Sequence, residues 1–98
     1  MRYAYFAYEL RKTSVNDISY ELVGFAEVNP ALRKHDTYIT ELRTWALDLL
    51  RKGHHKAGLF SVSYGEVVDY DELGKALAEL TLAWDGTNEF ALTDAQTS

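Results

Sequence analysis

The sequence predicts a two-layer α+β sandwich, in which two helices cover one face of a three-stranded antiparallel sheet. Three stretches alternate polar and apolar residues, as β-strands do, and two stretches repeat apolar residues every three or four positions, as helices do. The predicted element order is ββαβα, to which residues 89–92 can add a short fourth strand. We expect the 98 residues to form one domain, 1–98, with 93–98 frayed.

The first two strands are predicted to form a hairpin. They run from Arg2 to Lys12 and from Ile18 to Val28, and the polar residues between them suit a loop of five or six residues. One face of the first strand is wholly apolar, so we expect the helices to cover it. That face carries Ala4, Phe6, Tyr8 and Leu10. The opposite face of the hairpin is expected to stay uncovered and to form a secondary interface. Its members are Tyr3, Tyr5, Val23 and Phe25.

The first helix is predicted from an apolar stripe that repeats at three- and four-residue steps. The stripe consists of Tyr38, Ile39, Leu42, Trp45, Ala46, Leu49 and Leu50. Asp36 or Thr37 can cap its first turn, and Gly53 is a natural left-handed terminator after Lys52. The third strand, residues 59–68, should lie beside the first and give the sheet order 2-1-3. Its inward residues are Phe60, Val62 and Tyr64.

A second helix is predicted from Asp69 to Trp84. Asp69 can cap it, and Glu72 three residues later completes a capping-box pattern. Large apolar residues then recur at spacings of four, three and four, which is typical of a buried helical stripe. They are Leu73, Leu77, Leu80 and Trp84.

The composition indicates a cytoplasmic protein. There is no cysteine, which excludes disulfides and thiolate metal sites and fits a reducing compartment. No apolar stretch is long enough to span a bilayer or to serve as a signal core, so no membrane partner is expected.

No motif in the chain indicates catalysis, a cofactor or a metal. The six glycines are scattered singly and make no phosphate-binding loop, and Ser61 and Ser63 lack a Gly-x-Ser-x-Gly setting. Adjacent His54 and His55 would point to opposite sides of an extended connector, and His35 lies elsewhere. We therefore predict a non-enzymatic protein with no catalytic residues, no cofactor and no metal.

Negative charge is concentrated in the second half of the chain. Residues 57–98 carry eight of the fifteen Asp and Glu but one of the ten Lys and Arg, a net charge of −7. These acids can serve locally, as helix caps or, for Glu79, as a partner of Lys75. They can instead line one strand–helix edge and compete with phosphates for a basic protein surface, which we favour. The predicted partner-binding residues are Glu66, Asp69, Asp71, Glu72, Glu79, Asp85 and Glu89.

Two other binding modes compete with this interpretation. The uncovered aromatic face could be covered by the tail or could stack bases, but a pI near 5.0 argues against phosphate binding, so no direct nucleic-acid partner is predicted. The basic residues of the first half fit a solvated helix face or a contact with the DNA backbone. They are Arg33, Lys34, His35, Arg43, Arg51, Lys52 and Lys56.

In its size, its acidity and its lack of catalytic motifs, the chain resembles the small anti-defence proteins of phages, such as anti-CRISPR proteins. The resemblance implies an inhibitor that blocks a basic, nucleic-acid-binding surface of a larger host complex. We expect a monomer or a homodimer. The alternative is a general interaction module, such as an adaptor, an antitoxin or an immunity-type protein, or a homodimer through the aromatic sheet face.

Overall fold

The fold is an antiparallel sheet of five strands with one helix packed on it, within the residues that a computed structural model describes. The described residues are 2–29, 37–70, 72–86 and 90–93. The elements are β1 (Tyr3–Ser14), β2 (Asp17–Val28), α1 (Thr37–Lys52), β3 (Gly58–Asp69), β4 (Glu72–Trp84) and β5 (Phe90–Thr93). All neighbouring strands are antiparallel, and their order is β2-β1-β3-β4-β5. The predicted order 2-1-3 of the first three strands is confirmed.

The predicted second helix is wrong, because residues 72–84 form β4. This strand pairs with β3 along its length, with Leu80 opposite Val62, and Phe90–Thr93 pairs with its outer edge. Alternate residues of β4 are buried, as a strand requires. They are Ala78, Leu80, Leu82 and Trp84. Leu77, which a helix would bury, is 42% exposed. The ββαβα sandwich with two helices is therefore replaced by a larger sheet with α1 on one face.

The capping-box pattern at the start of the predicted helix belongs instead to a tight hairpin turn. Asp69 and Glu72 face each other across the β3–β4 turn, and Tyr70 within that turn has a φ of 54°. Positive φ is the conformation that two-residue hairpin turns require. Acidic residues at a spacing of three thus fit either a helix start or a turn, and strand pairing decides between them.

The first hairpin has a shorter turn than predicted. Ser14 pairs with Asp17, so Val15 and Asn16 connect β1 to β2. The pairing of β1 with β3 extends from Tyr3 to Glu9, so in the described structure residues 10–20 project as a two-stranded ribbon. We call residues 10–20 the β1–β2 ribbon.

Helix α1 has the predicted bounds, but its termination differs from the prediction. It ends at Lys52, and the His55 N–H donates to the Leu50 carbonyl at 3.1 Å while the His54 N–H donates to the Arg51 carbonyl at 3.2 Å. This pair of bonds is a Schellman motif, whose left-handed residue is His54, with a φ of 52°, and not Gly53.

Helix α1 covers the face of the sheet that was predicted to be open. The Tyr38 ring stacks on Tyr64 with centroids 4.3 Å apart, and the Tyr5 hydroxyl donates to the Glu41 carboxylate at 2.9 Å. Tyr3, Tyr5 and Val23 belong to this helix-covered core, and of the predicted secondary interface Phe25 alone lies on the other side. The prediction failed because both faces of β1 are apolar and a bulge between β1 and β2 interrupts the alternation.

The opposite side of the sheet, which we call the helix-free face, carries a second apolar cluster. Ala4 and Phe6 are fully buried there, because the turn end of the β3–β4 hairpin bends over them and packs Val67 and Leu73 against them. The bend coincides with register shifts near Gly65, where a Cβ would lie 2.6 Å from Leu73 Cδ1. Bulges bend and twist a strand, which accounts for the packing of this end of the hairpin against Ala4 and Phe6.

The predicted C-terminal elements fall partly within the described structure. The short strand predicted at 89–92 is present as Phe90–Thr93, although Thr93 was expected to fray. Residues 94–98 lie outside the described residues. Within the described chain, no helix combines the length and apolarity needed to cross a membrane.

Candidate functional site

A cavity of about 320 Å³ opens on the helix-free face. That volume is at the lower end of the range typical of ligand-binding clefts. Six side chains from four strands line it. They are Tyr8, Tyr20, Ser61, Ser63, Leu73 and Glu79. The cavity therefore combines aromatic rings, hydroxyl groups and one carboxylate.

The strand register explains why a depression forms at this position. Ser61 and Ser63 alternate with the buried Phe60, Val62 and Tyr64 along the central strand β3, so they face away from α1. Ser61 pairs with Tyr8 of β1, and Ser63 pairs with Glu79 of β4. Two small residues between larger neighbours leave a furrow, and Leu73 of β4 also lines it.

Two polar side chains of the cavity, Ser63 and Glu79, can bind a ligand. Ser63 is 2% exposed, yet its hydroxyl has no hydrogen-bond partner among the residues that the structure describes. Glu79 is exposed and has no ion pair within the same described ranges. A hydroxyl that lines a cavity and has no partner in its own chain can form a hydrogen bond with a ligand that enters.

Exposed apolar side chains lie near the cavity on the same face of the sheet. Ile18 is 59% exposed, Tyr20 is 61% exposed and Leu59 is 49% exposed. Ile18 lies two residues from Tyr20 on β2, and Leu59 lies two residues from Ser61 on β3, so alternation places both on the helix-free face. Exposed apolar side chains near a polar depression are typical of an interaction surface.

The structure separates the predicted acidic residues into several places. Asp69 and Glu72 are exposed at the tip of the β3–β4 hairpin, Glu66 is half-buried beside Tyr3, and Glu79 is in the cavity. Asp85 follows the far end of β4, up to about 40 Å from the tip at the usual rise per strand residue. They form no single row along a strand–helix edge. Asp71 and Glu89 lie outside the described residues.

The basic residues of the first half do not neutralise the acids of the hairpin. Arg2 pairs with Glu27, and the Arg11 guanidinium lies 2.8 Å from Glu21 and 3.2 Å from Glu9. Lys52 pairs with Asp48 at 3.1 Å. In the described part of the chain, Glu66, Asp69, Glu72 and Glu79 have no ion pair. The hairpin therefore keeps its negative field.

The histidines and the acids provide no metal site in the described residues. No group of three or more His, Asp or Glu side chains there is arranged to hold a metal ion. His54 and His55 instead follow the end of α1, where the His55 carbonyl accepts a hydrogen bond from the Trp84 indole at 2.9 Å. His35, and the neighbouring Arg33 and Lys34, lie outside the described residues.

Of the six cavity residues, Glu79 was predicted to bind a partner and the other five were not. Ser61 and Ser63 face away from α1, as the inward prediction for Phe60, Val62 and Tyr64 implies, and two small polar residues on one face of a central strand are the signal that could have indicated a depression. Tyr8 and Leu73 were expected in a helix-covered core. Comparisons with protein-family models, with curated proteins and with solved structures found no match for this chain.

Proposed function

We propose that this protein is a non-enzymatic binding protein of the cytoplasm, which docks on a basic surface of a larger protein through its helix-free face. The observation that carries the proposal is the cavity on that face, where the unpaired Glu79 carboxylate lies near exposed apolar side chains. An apolar contact supplies affinity, and a central charge selects a partner of opposite sign.

The charge distribution supports a basic partner. The second half of the chain has a net charge of −7, and the described acids of the β3–β4 hairpin have no ion pair within the described residues. A negative field of this kind speeds association with a positive surface. Positive protein surfaces often hold nucleic-acid phosphates, so docking there would block nucleic-acid binding, as the likeness to anti-CRISPR proteins implies.

The test is affinity capture from a lysate of the source organism at low salt, with the wild type and two charge-reversal variants. Glu79→Lys changes the helix-free face, and Asp48→Lys makes the same charge change on α1, on the other side of the sheet. We expect a partner with a basic surface to be captured by the wild type and by Asp48→Lys, and lost with Glu79→Lys. Equal capture by both variants would show that the helix-free face is not the docking surface.

A homodimer through the same face is the second candidate. The exposed Ile18, Tyr20 and Leu59 favour it, because two copies could bury them together. A two-fold dimer would, however, bring the acidic surfaces of both copies together, which is unfavourable without cations. Sedimentation equilibrium distinguishes the candidates: the mass of one 11.2 kDa chain is expected, and a dimer that Tyr20→Ser dissociates would support self-association.

A further inference from the structure

We propose that the cavity on the helix-free face is a site for one arginine side chain of the partner protein. The guanidinium would lie between the Glu79 carboxylate and the tyrosine side of the cavity, with the two serine hydroxyls beneath it. This inference rests on the proposed function, because it names the group by which the partner is recognised.

The Ser63 hydroxyl is the first feature that supports this site. Ser63 is almost fully buried, lines the cavity and has no hydrogen-bond partner among the described residues. A hydroxyl in that position stabilises the free protein little, but it can accept a hydrogen bond from a donor that enters the cavity. The register places Ser63 directly opposite Glu79, so one ligand group can contact both.

The chemical groups that line the cavity favour a cation as its ligand. The lining holds acceptors and aromatic rings: the Glu79 carboxylate, the Ser61 and Ser63 hydroxyls, and the rings of Tyr8 and Tyr20. A carboxylate with aromatic rings selects a cation, because the ring face attracts positive charge and the carboxylate pairs with it. In the described structure Glu79 has no cation of its own chain as a partner.

The number and spread of the acceptors favour arginine over lysine. Guanidinium is planar, presents five N–H donors in a fixed fork and is weakly hydrated, so it can engage a carboxylate and hydroxyls while it stacks on a ring. An ammonium group has three donors around one point and is strongly hydrated. The apolar Leu73 in the cavity lining suits the methylene stem of an arginine.

The proposal is tested by NMR titration of the ¹⁵N-labelled chain with the peptide acetyl-Gly-Gly-Arg-Gly-Gly-amide at low ionic strength. The control peptide carries citrulline, which keeps the shape of arginine but has no charge. We expect the arginine peptide to shift the amide signals of residues 61, 63 and 79 in a saturable way, and the citrulline peptide to leave them unchanged. Equal shifts with both peptides would overturn the proposal.

Two variants assign the contacts. Glu79→Gln should weaken binding of the arginine peptide about tenfold or more, because it removes a charged hydrogen-bond partner, whereas Glu72→Gln at the hairpin tip should leave it unchanged. Ser63→Ala should weaken binding several-fold without lowering the urea midpoint, since its hydroxyl has no partner in the described structure. Equal weakening by Glu79→Gln and Glu72→Gln would indicate only general attraction to an acidic protein, and would overturn the site.

This site and the proposed function fail in different ways. If the arginine peptide binds but Glu79→Lys still captures the partner, the arginine site is supported and docking through this face is contradicted. If Glu79→Lys fails to capture the partner but the arginine peptide shifts no amide signals, docking through this face is supported and the arginine site is contradicted.

Discussion

Gly65 occupies a position where the backbone strands come too close for any side chain. A Cβ there would lie 2.6 Å from Leu73 Cδ1 and 2.7 Å from the Lys75 carbonyl oxygen, and that oxygen is fixed by the sheet. We predict that Gly65→Ala lowers the free energy of unfolding by about 1–3 kcal/mol, as overpacked sites do. Gly58→Ala is the matched control, because nothing lies within 4 Å of its added Cβ. Urea denaturation measures both, and equal effects would contradict the close approach at Gly65.

His54 carries a conformational strain that one substitution can remove. Its φ of 52° is the left-handed conformation that closes α1, and a Cβ makes that conformation unfavourable. We predict that His54→Gly raises the free energy of unfolding by about 0.5–1 kcal/mol. His54→Ala, which keeps a Cβ, should change stability little, because the His54 side chain is exposed. A thermal midpoint that falls with His54→Gly would indicate that the imidazole itself stabilises the helix end.

At the scale of elements, the predicted positions of β1, β2, α1 and β3 agree closely with the structure, whereas β4 was taken for a helix. Helix α1 was predictable because apolar steps, capping and termination all indicate the same element. The Leu, Ala, Glu and Lys residues of β4 have a high intrinsic helix propensity. In addition, the apolar residues of β4 fit two spacings, that of a helix and that of a strand. Leu73, Leu77, Leu80 and Trp84 fit the helical period; Ala78, Leu80, Leu82 and Trp84 fit the strand period. Pairing with β3, a non-local interaction, selects the strand.

Truncation at two leucines of β4 distinguishes the strand from the helix in solution. Leu80 is 3% exposed, so Leu80→Ala should cost about 2–5 kcal/mol of unfolding free energy through the cavity that it leaves. Leu77 is 42% exposed, so Leu77→Ala should cost much less, within about 1 kcal/mol. A helical stripe would make the two losses similar. Chemical denaturation of the two variants, compared with the wild type, measures the difference.

The candidate site was less predictable than the fold, because its residues meet through register. The pairing of Ser63 with Glu79 depends on β4 being a strand, and the position of Leu73 depends on the bulges near Gly65. Neither the strand pairing nor the bend can be deduced from local propensity. The charge distribution was partly predictable. The sequence shows that acidic residues are concentrated after residue 57, but only the structure shows that they are separated between the hairpin tip, the cavity and Asp85.

At the scale of the whole molecule, salt should act on binding more than on stability. The described ion pairs, such as Arg2–Glu27 and Lys52–Asp48, join exposed side chains, and such pairs typically contribute at most about 1 kcal/mol each. In the proposed function, the unpaired acids of the hairpin attract a partner through solvent, and salt at 0.1 M screens such an attraction over about 10 Å. We predict that raising salt from about 0.05 to about 0.5 M weakens partner capture strongly and moves the urea midpoint little. Capture that is insensitive to salt would indicate a mainly apolar interface.

The β1–β2 ribbon should report on what occupies the helix-free face. Residues 10–14 pair with β2 on one side and, in the described structure, with no strand on the other, and a two-stranded hairpin alone is marginally stable in water. The amide protons of the ribbon should therefore exchange with deuterated solvent far sooner than those of Tyr5 and Phe6. Because Tyr20 lies both on the ribbon and in the cavity wall, an occupant that contacts Tyr20 would slow that exchange. Deuterium uptake by the ribbon would therefore show whether the cavity is occupied.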